Sequence, residues 1–227
     1  MLIYALGTLW YGLFNWFWFW IWREQPLRES LSLLYRELAD YCEAKYSLLT
    51  QHTDPEKALP PLLVRQQKAV DLITQCYQQM HMLSAQNNTD YKRMLRIFQE
   101  ALDLQEHISV SLHQPEEVQK LVERSHAEEV IRWNAQTVAA RLRVLADDIL
   151  YHRLPTRFTM EKQIGALEKI ARQHPDNPVG QFCYWHFSRI ARVLRTQKPL
   201  YARDLLADKQ RRMPLLPALK SYLSLKS

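Results

Sequence analysis

The first 22 residues contain no Asp, Glu, Lys or Arg, and every formal charge of the chain lies from Arg23 onward. As an α-helix this stretch is about 33 Å long, against a bilayer hydrocarbon core of roughly 30 Å. Leu2, Ile3, Leu6, Leu9, Leu13, Phe14, Phe17, Phe19 and Ile21 together favour insertion by roughly 3 to 5 kcal/mol. No basic segment precedes them and no small-residue cleavage site stands before Arg23, so a signal peptide does not fit. Residues 1–22 are therefore expected to form one transmembrane helix.

Its tryptophans give it a direction. Trp16, Trp18, Trp20 and Trp22 occupy the last two turns, directly before Arg23. Indole rings prefer the headgroup boundary, so these five residues mark the membrane interface. Basic residues stay cytoplasmic, which puts Arg23, Arg28 and the rest of the chain inside and the amino terminus outside. A further pattern lies on one face, where Ala5, Thr8, Gly12 and Asn15 recur at intervals of three and four. Small and polar residues so placed let another membrane helix approach closely. Partners of this face are other transmembrane helices, of the same or a full-length protein, or a second copy of the chain.

Beyond Arg23 the chain has two glycines, Gly165 and Gly180, and many Leu, Gln, Glu and Arg. That composition favours long helices over sheet. Leu27, Leu31, Leu34, Leu38, Tyr41 and Leu48 follow heptad spacing, with Lys45 interrupting the seam. A second helix is expected from Pro60-Pro61, with Leu63, Val70, Ile73, Tyr77 and Met80 as its apolar stripe. A third opens at Asp90 and carries Met94, Leu95, Phe98, Ala101, Leu102 and Ile108. The longest runs from Pro115 to His152 on an unbroken seam of Ile131, Ala135, Val138, Leu142, Leu145 and Ile149. Helices over 159–173 and 178–195 follow, the latter carrying Phe182, Trp185, Ile190 and Leu194.

The predicted fold is all-α, one N-terminal transmembrane helix followed by an antiparallel cytoplasmic helical bundle. The parts are the membrane helix over 1–22, the bundle over 23–205 and a basic juxtamembrane tail over 206–227. From Arg189 onward ten Lys or Arg face two acids, although the whole chain carries only +6. Prolines at 214 and 217 limit the tail to short helical pieces. Arg211, Arg212 and Lys220 are expected to face the anionic inner leaflet. The lipid bilayer, rather than nucleic acid, is the partner that this distribution fits.

Few residues offer chemistry. Cys42, Cys76 and Cys183 are far apart and form no CxxC pair, which reads as buried free thiols in a reducing compartment. Glu123 and His126 form one E-x-x-H pair, where a di-iron bundle needs two. His107 and His113 lack ligand spacing, and His81 between Met80 and Met82 reads as a bundle-edge residue. Asp147-Asp148, followed by His152, reads as a solvated carboxylate pair, and Arg189, Arg192 and Arg195 as a basic stripe. No phosphate loop, nucleophile elbow or kinase motif occurs. No catalytic residue, metal ligand or cofactor is expected, and the chain is not read as an enzyme.

Three stretches carry a resemblance: QPLRESLSLLYRELADYCEAKYSLL after the tryptophan-rich helix, LADDILYHRLP, and LLPALKSYLSLKS at the end. Over its whole length the chain resembles the YccS/YhfK group of the fusaric-acid-resistance-like (FUSC) inner-membrane proteins. No short catalytic motif carries the likeness, so it transfers no site residue. It implies a bacterial inner-membrane protein of efflux type, with two hydrophobic halves around a helical cytoplasmic region. On that pattern the chain corresponds to the last helix of the first half plus the cytoplasmic region, a piece of such a protein. The alternative is a membrane-anchored helical adaptor that binds a cytoplasmic protein.

Overall fold

A computed structural model describes residues 2–21, 24–50, 55–83, 89–109, 115–124, 126–151, 153 and 158–212. Among the described residues there are eight helices and no strand. They are α1 (Leu2–Ile21), α2 (Gln25–Thr50), α3 (Pro55–Leu83), α4 (Thr89–Ser109), α5 (Pro115–Arg124), α6 (Glu128–Leu150), α7 (Glu161–Gln173) and α8 (Pro178–Arg212).

Helix α2 is the centre of the bundle. α6, α3, α4 and α5 all pack on it, α6 the most extensively, while α8 closes the other side against α7 and α4. The heptad leucines explain this position: Leu27, Leu31, Leu34 and Leu38 are buried, and so are Tyr35, Ala39, Cys42, Tyr46 and Leu49 beside them. A stripe that wide serves several neighbours at once. Side-chain ties fix the directions. Arg36 meets Asp147 and Arg143 meets Asp40, so α6 runs antiparallel to α2. The Tyr35 hydroxyl donates to the Ile97 carbonyl and Lys45 donates to the Ile108 carbonyl, so α4 runs parallel to α2. α2 is thus flanked by one antiparallel helix, α6, and one parallel helix, α4.

The expected α6 seam is fully buried from Ile131 to Ile149, but the long helix around it is interrupted. Residues 115–152 form α5 and α6, separated near His126. The His126 N–H bonds the Glu123 carbonyl at 3.1 Å and the Ala127 N–H bonds the Val122 carbonyl at 3.3 Å. With His126 at φ 50° this is a Schellman closure, sealed by the contact-forming pair Val122 and Ala127, both wholly buried. Histidine is among the residues that tolerate the left-handed region, so no glycine announced the break.

Other boundaries move as well. α3 starts at Pro55, a favourable first-turn position, and runs through Pro60 and Pro61. Its buried face is Ala69, Cys76, Met80 and Leu83, while Leu63, Val70 and Tyr77 of the expected stripe are exposed. α8 does not end at Arg195 but continues to Arg212, past Pro199. The turn before it is held by Asn177, whose side-chain oxygen accepts from the Val179 N–H at 3.0 Å ahead of Pro178 in the first turn. α7 and α8 approach closely at Gly180, where a Cβ would stand 3.4 Å from the Ala171 Cα, in van der Waals contact.

Helix α1 stands apart. It has no extensive packing against the bundle, and Tyr4, Leu9, Trp10, Tyr11, Leu13, Phe14 and Trp16 are all more than half exposed. Among the described residues no helix is long and apolar enough to cross a membrane. The expected spanning helix over 1–22 is not reproduced on that measure. The physical reason is composition: Tyr4, Thr8, Trp10, Tyr11, Asn15 and Trp16 bring polar atoms into a helix otherwise free of charge.

Candidate functional site

The polar residues of the bundle collect at two depths. At the surface, α2, α3 and α6 enclose a cleft of about 430 Å³ lined by Asp40, Glu43, Ser47, Arg65, Arg132 and Arg143, among others. Arg143 donates to Asp40 at 2.7 Å and also to Glu43. Arg65 lies 3.3 Å from Asp40 and 3.5 Å from Glu37, and Lys68 also pairs with Glu37. Glu37 is nearly buried, and two cations share it. The carboxylates raise the affinity of Arg143 for its proton still further. Opposite charges are already matched here, so the cleft acts as an electrostatic joint among three helices. Arg132 also lines the cleft, and no ion pair among the described residues engages it.

Behind the cleft lies a buried layer that spacing only hinted at. Lys45, which interrupts the α2 seam, is almost fully enclosed and donates to the last-turn carbonyl of Ile108 on α4. A cation at a helix carboxyl end is well placed, yet burial pushes Lys45 down to about 8. Across from it α8 brings His186, stacked on Phe182 at 5.3 Å and flanked by Tyr46 and Phe187. Burial, aided by the charges of Lys45 and His107, pushes the imidazole down to about 3. Among the described residues its Nε2 and the Tyr46 hydroxyl have no hydrogen-bond partner. Cys42 and Cys183 are pushed up to about 12 by the same burial. Thiols that hold their protons so firmly are poor nucleophiles. The layer is a set of neutral, enclosed groups around one lysine.

The residues singled out from sequence are dispersed. Thr8, Gly12, Asn15 and Trp16 lie on α1 and are exposed. Thr8 returns its hydroxyl to the Tyr4 carbonyl at 2.9 Å, and a Cβ at Gly12 would meet nothing within 4 Å. Ala5, Trp18 and Trp20 lie on the same helix, and Arg211 and Arg212 end α8, but their side chains lie outside the described residues. Trp22, Arg23 and Lys220 also lie outside them. Glu123 and His126 meet through the backbone of the helix closure, where the His126 N–H donates to the Glu123 carbonyl. Asp147 pairs with Arg36, whereas neighbouring Asp148 turns inward, where burial pushes its carboxyl up. Cys42, Cys76 and Cys183 are free and buried. Among the described residues no group of three His, Cys, Asp or Glu could hold a metal ion. Sequence reasoning missed His186 and the surface cleft, because both are assembled from helices distant in the chain.

No solved structure matches this chain. A family model does, that of FUSC-like inner membrane protein yccS, over residues 1–205. That range takes in α1, the whole of α2 to α7 and most of α8. Matched over most of its length, from the charge-free helix into α8, the chain belongs to the FUSC-like inner membrane protein family.

Proposed function

We propose that this chain is part of an efflux-type inner-membrane transporter, with α1 seated in the bilayer and the bundle on the cytoplasmic side. One observation carries the reading: a single inner-membrane family match runs through both α1 and the bundle. α1 supports it, because a helix free of charge with apolar side chains exposed all round needs an apolar environment. Its Thr8 and Asn15 belong against other helices rather than lipid. α1 therefore sits within a group of membrane helices instead of crossing alone. Arg23 and Arg28, directly after it, orient the bundle toward the cytoplasm. The interface Trp residues and the basic end of the chain meet the inner leaflet. The bundle is not an enzyme on this reading and uses no cofactor.

The test has a topological arm and a transport arm. A reporter enzyme fused after Ser227 should be active in the cytoplasm, and periplasmic activity there would sink the orientation. In cells lacking related exporters, the chain alone should leave a labelled aromatic acid retained, while the same chain supplied with the remaining membrane helices should restore export. Export by the chain alone would show that α1 needs no companions.

A second reading, an anchored adaptor for a cytoplasmic protein, draws on the exposed face of α3. Leu63, Val70 and Tyr77 recur there every seven residues and are uncovered. Large exposed apolar surfaces mark interaction sites.

A further inference from the structure

The last helix pair carries a second groove, of about 330 Å³, between the amino-terminal half of α7 and the middle of α8. Ser188, Arg192 and Arg195 line its α8 wall. They stand at i, i+4 and i+7, one face of the helix. Arg189, the third member of the basic stripe, points elsewhere: its guanidinium lies 4.2 Å from the centre of the Trp185 ring. No ion pair among the described residues engages Arg192 or Arg195. Two carboxylates also line the groove: Glu168, which pairs with Arg172 at 2.5 Å, and Glu161, which is exposed. Among the described residues neither pairs with Arg192 or Arg195, and the buried Ser188 hydroxyl has no hydrogen-bond partner. The floor is apolar, made by Phe158, Met160, Ile164 and Ala191.

The opposite wall contains Gly165, in the interior of a 13-residue helix. A glycine there weakens the helix, and neither backbone nor packing asks for it. Its φ is ordinary, and a Cβ would meet nothing within 4 Å. Gly180 on the facing helix contrasts with it, since that glycine permits contact with Ala171. What Gly165 does is leave the groove open.

From these features we infer that the α7–α8 groove binds a phosphate monoester whose ester group is apolar. Two guanidinium forks and a hydroxyl supply more donors than a carboxylate can use, and they suit the three free oxygens of a phosphate. The ester chain lies over Phe158, Met160 and Ile164. A soluble alkyl or aryl phosphate and the headgroup of a phosphatidate-type lipid share this chemistry.

The full chain, purified in a nonionic detergent, is titrated calorimetrically with hexyl phosphate and with dihexanoyl phosphatidic acid. Hexanol, inorganic phosphate and dihexanoyl phosphatidylcholine serve as controls. Two variants separate charge from space: the double change Arg192→Ala with Arg195→Ala removes the donors, and Gly165→Phe fills the groove while keeping them. Thermal melts by circular dichroism confirm that both remain folded, as expected for exposed or open positions. At least one of the two phosphates should bind more tightly than every control, and each variant should weaken that binding about tenfold or more. Preference for hexyl phosphate assigns a soluble ligand, and preference for the diacyl phosphate assigns a lipid. Absence of binding by both phosphates, equal binding of hexanol, or binding that survives either variant would overturn the site.

Discussion

Lys45 stands where the α2 seam calls for an apolar side chain, and its surroundings make its proton a stability determinant. Buried against Ile108, it is pushed from 10.5 down to about 8. Between these values the unfolded chain binds a proton that the folded one does not, so stability rises with pH across that window. The change is on the order of 3 kcal/mol. Lys45→Met should flatten the slope between pH 8 and 10.5 in denaturant titrations, although it leaves the Ile108 carbonyl without its donor. An unchanged slope in the variant would place the titration elsewhere. His186 acts at the other end of the scale. Its folded value of about 3 lies below the ordinary 6.5, so stability is lost as pH falls through that interval. Carboxylates titrate there too, and the informative quantity is the difference between the native chain and His186→Phe. The variant keeps an aromatic ring between Phe182 and Tyr46 and removes the unpartnered Nε2. It should resist acid better than the native chain, with a midpoint shifted to lower pH.

At the scale of an element, the break between α5 and α6 shows how a helix can end without a glycine or proline. The left-handed His126 costs about 1 to 2 kcal/mol relative to glycine, and the two Schellman bonds with the Val122–Ala127 contact offset it. His126→Gly should therefore raise the melting temperature, with a gain of about 1 kcal/mol. A loss of stability would mean that the imidazole makes a contact worth more than the strain. The same segment explains what sequence reading could and could not reach. The α6 seam was legible because a 4-3-4-3 run of apolar residues needs only one buried face. The break was not, since a left-handed histidine leaves no mark in composition. On α3 two apolar stripes overlap, Leu63–Val70–Tyr77 and Ala69–Cys76–Leu83, and only the position of α2 decides which one is covered. α8 runs past the expected end at Arg195 and through Pro199, because a single proline costs one hydrogen bond and some strain but does not forbid a long helix.

At the scale of the molecule, the helical class could be read from composition, while the expected division after the charge-free segment is a matter for experiment. The polar sites could not, because the cleft joins α2, α3 and α6, and the groove joins α7 and α8. Such sites depend on which helices become neighbours, a property of the packed bundle rather than of any stretch of chain. The division itself makes the last prediction. Among the described residues the buried apolar cluster begins at Leu27 and ends at Leu194, and no described side chain of α1 enters it. The ties are internal to the bundle: on α2, Tyr35 to Ile97 and Gln119 to the Leu48 carbonyl at 2.6 Å, and beyond it Asn177, before α8, to the Leu121 carbonyl of α5 at 2.7 Å. The described apolar side chains of α1, Leu9, Leu13 and Phe14 among them, stay exposed instead. A fragment spanning residues 23–205 should therefore fold in water without detergent. Circular dichroism should show a mostly helical spectrum and one cooperative melt, the behaviour of a domain with its own core. Leu34→Ala, at a position with no exposure, should lower that melt by the equivalent of about 2 to 5 kcal/mol. A featureless coil spectrum, or a melt insensitive to Leu34, would show that the bundle relies on α1 for its core.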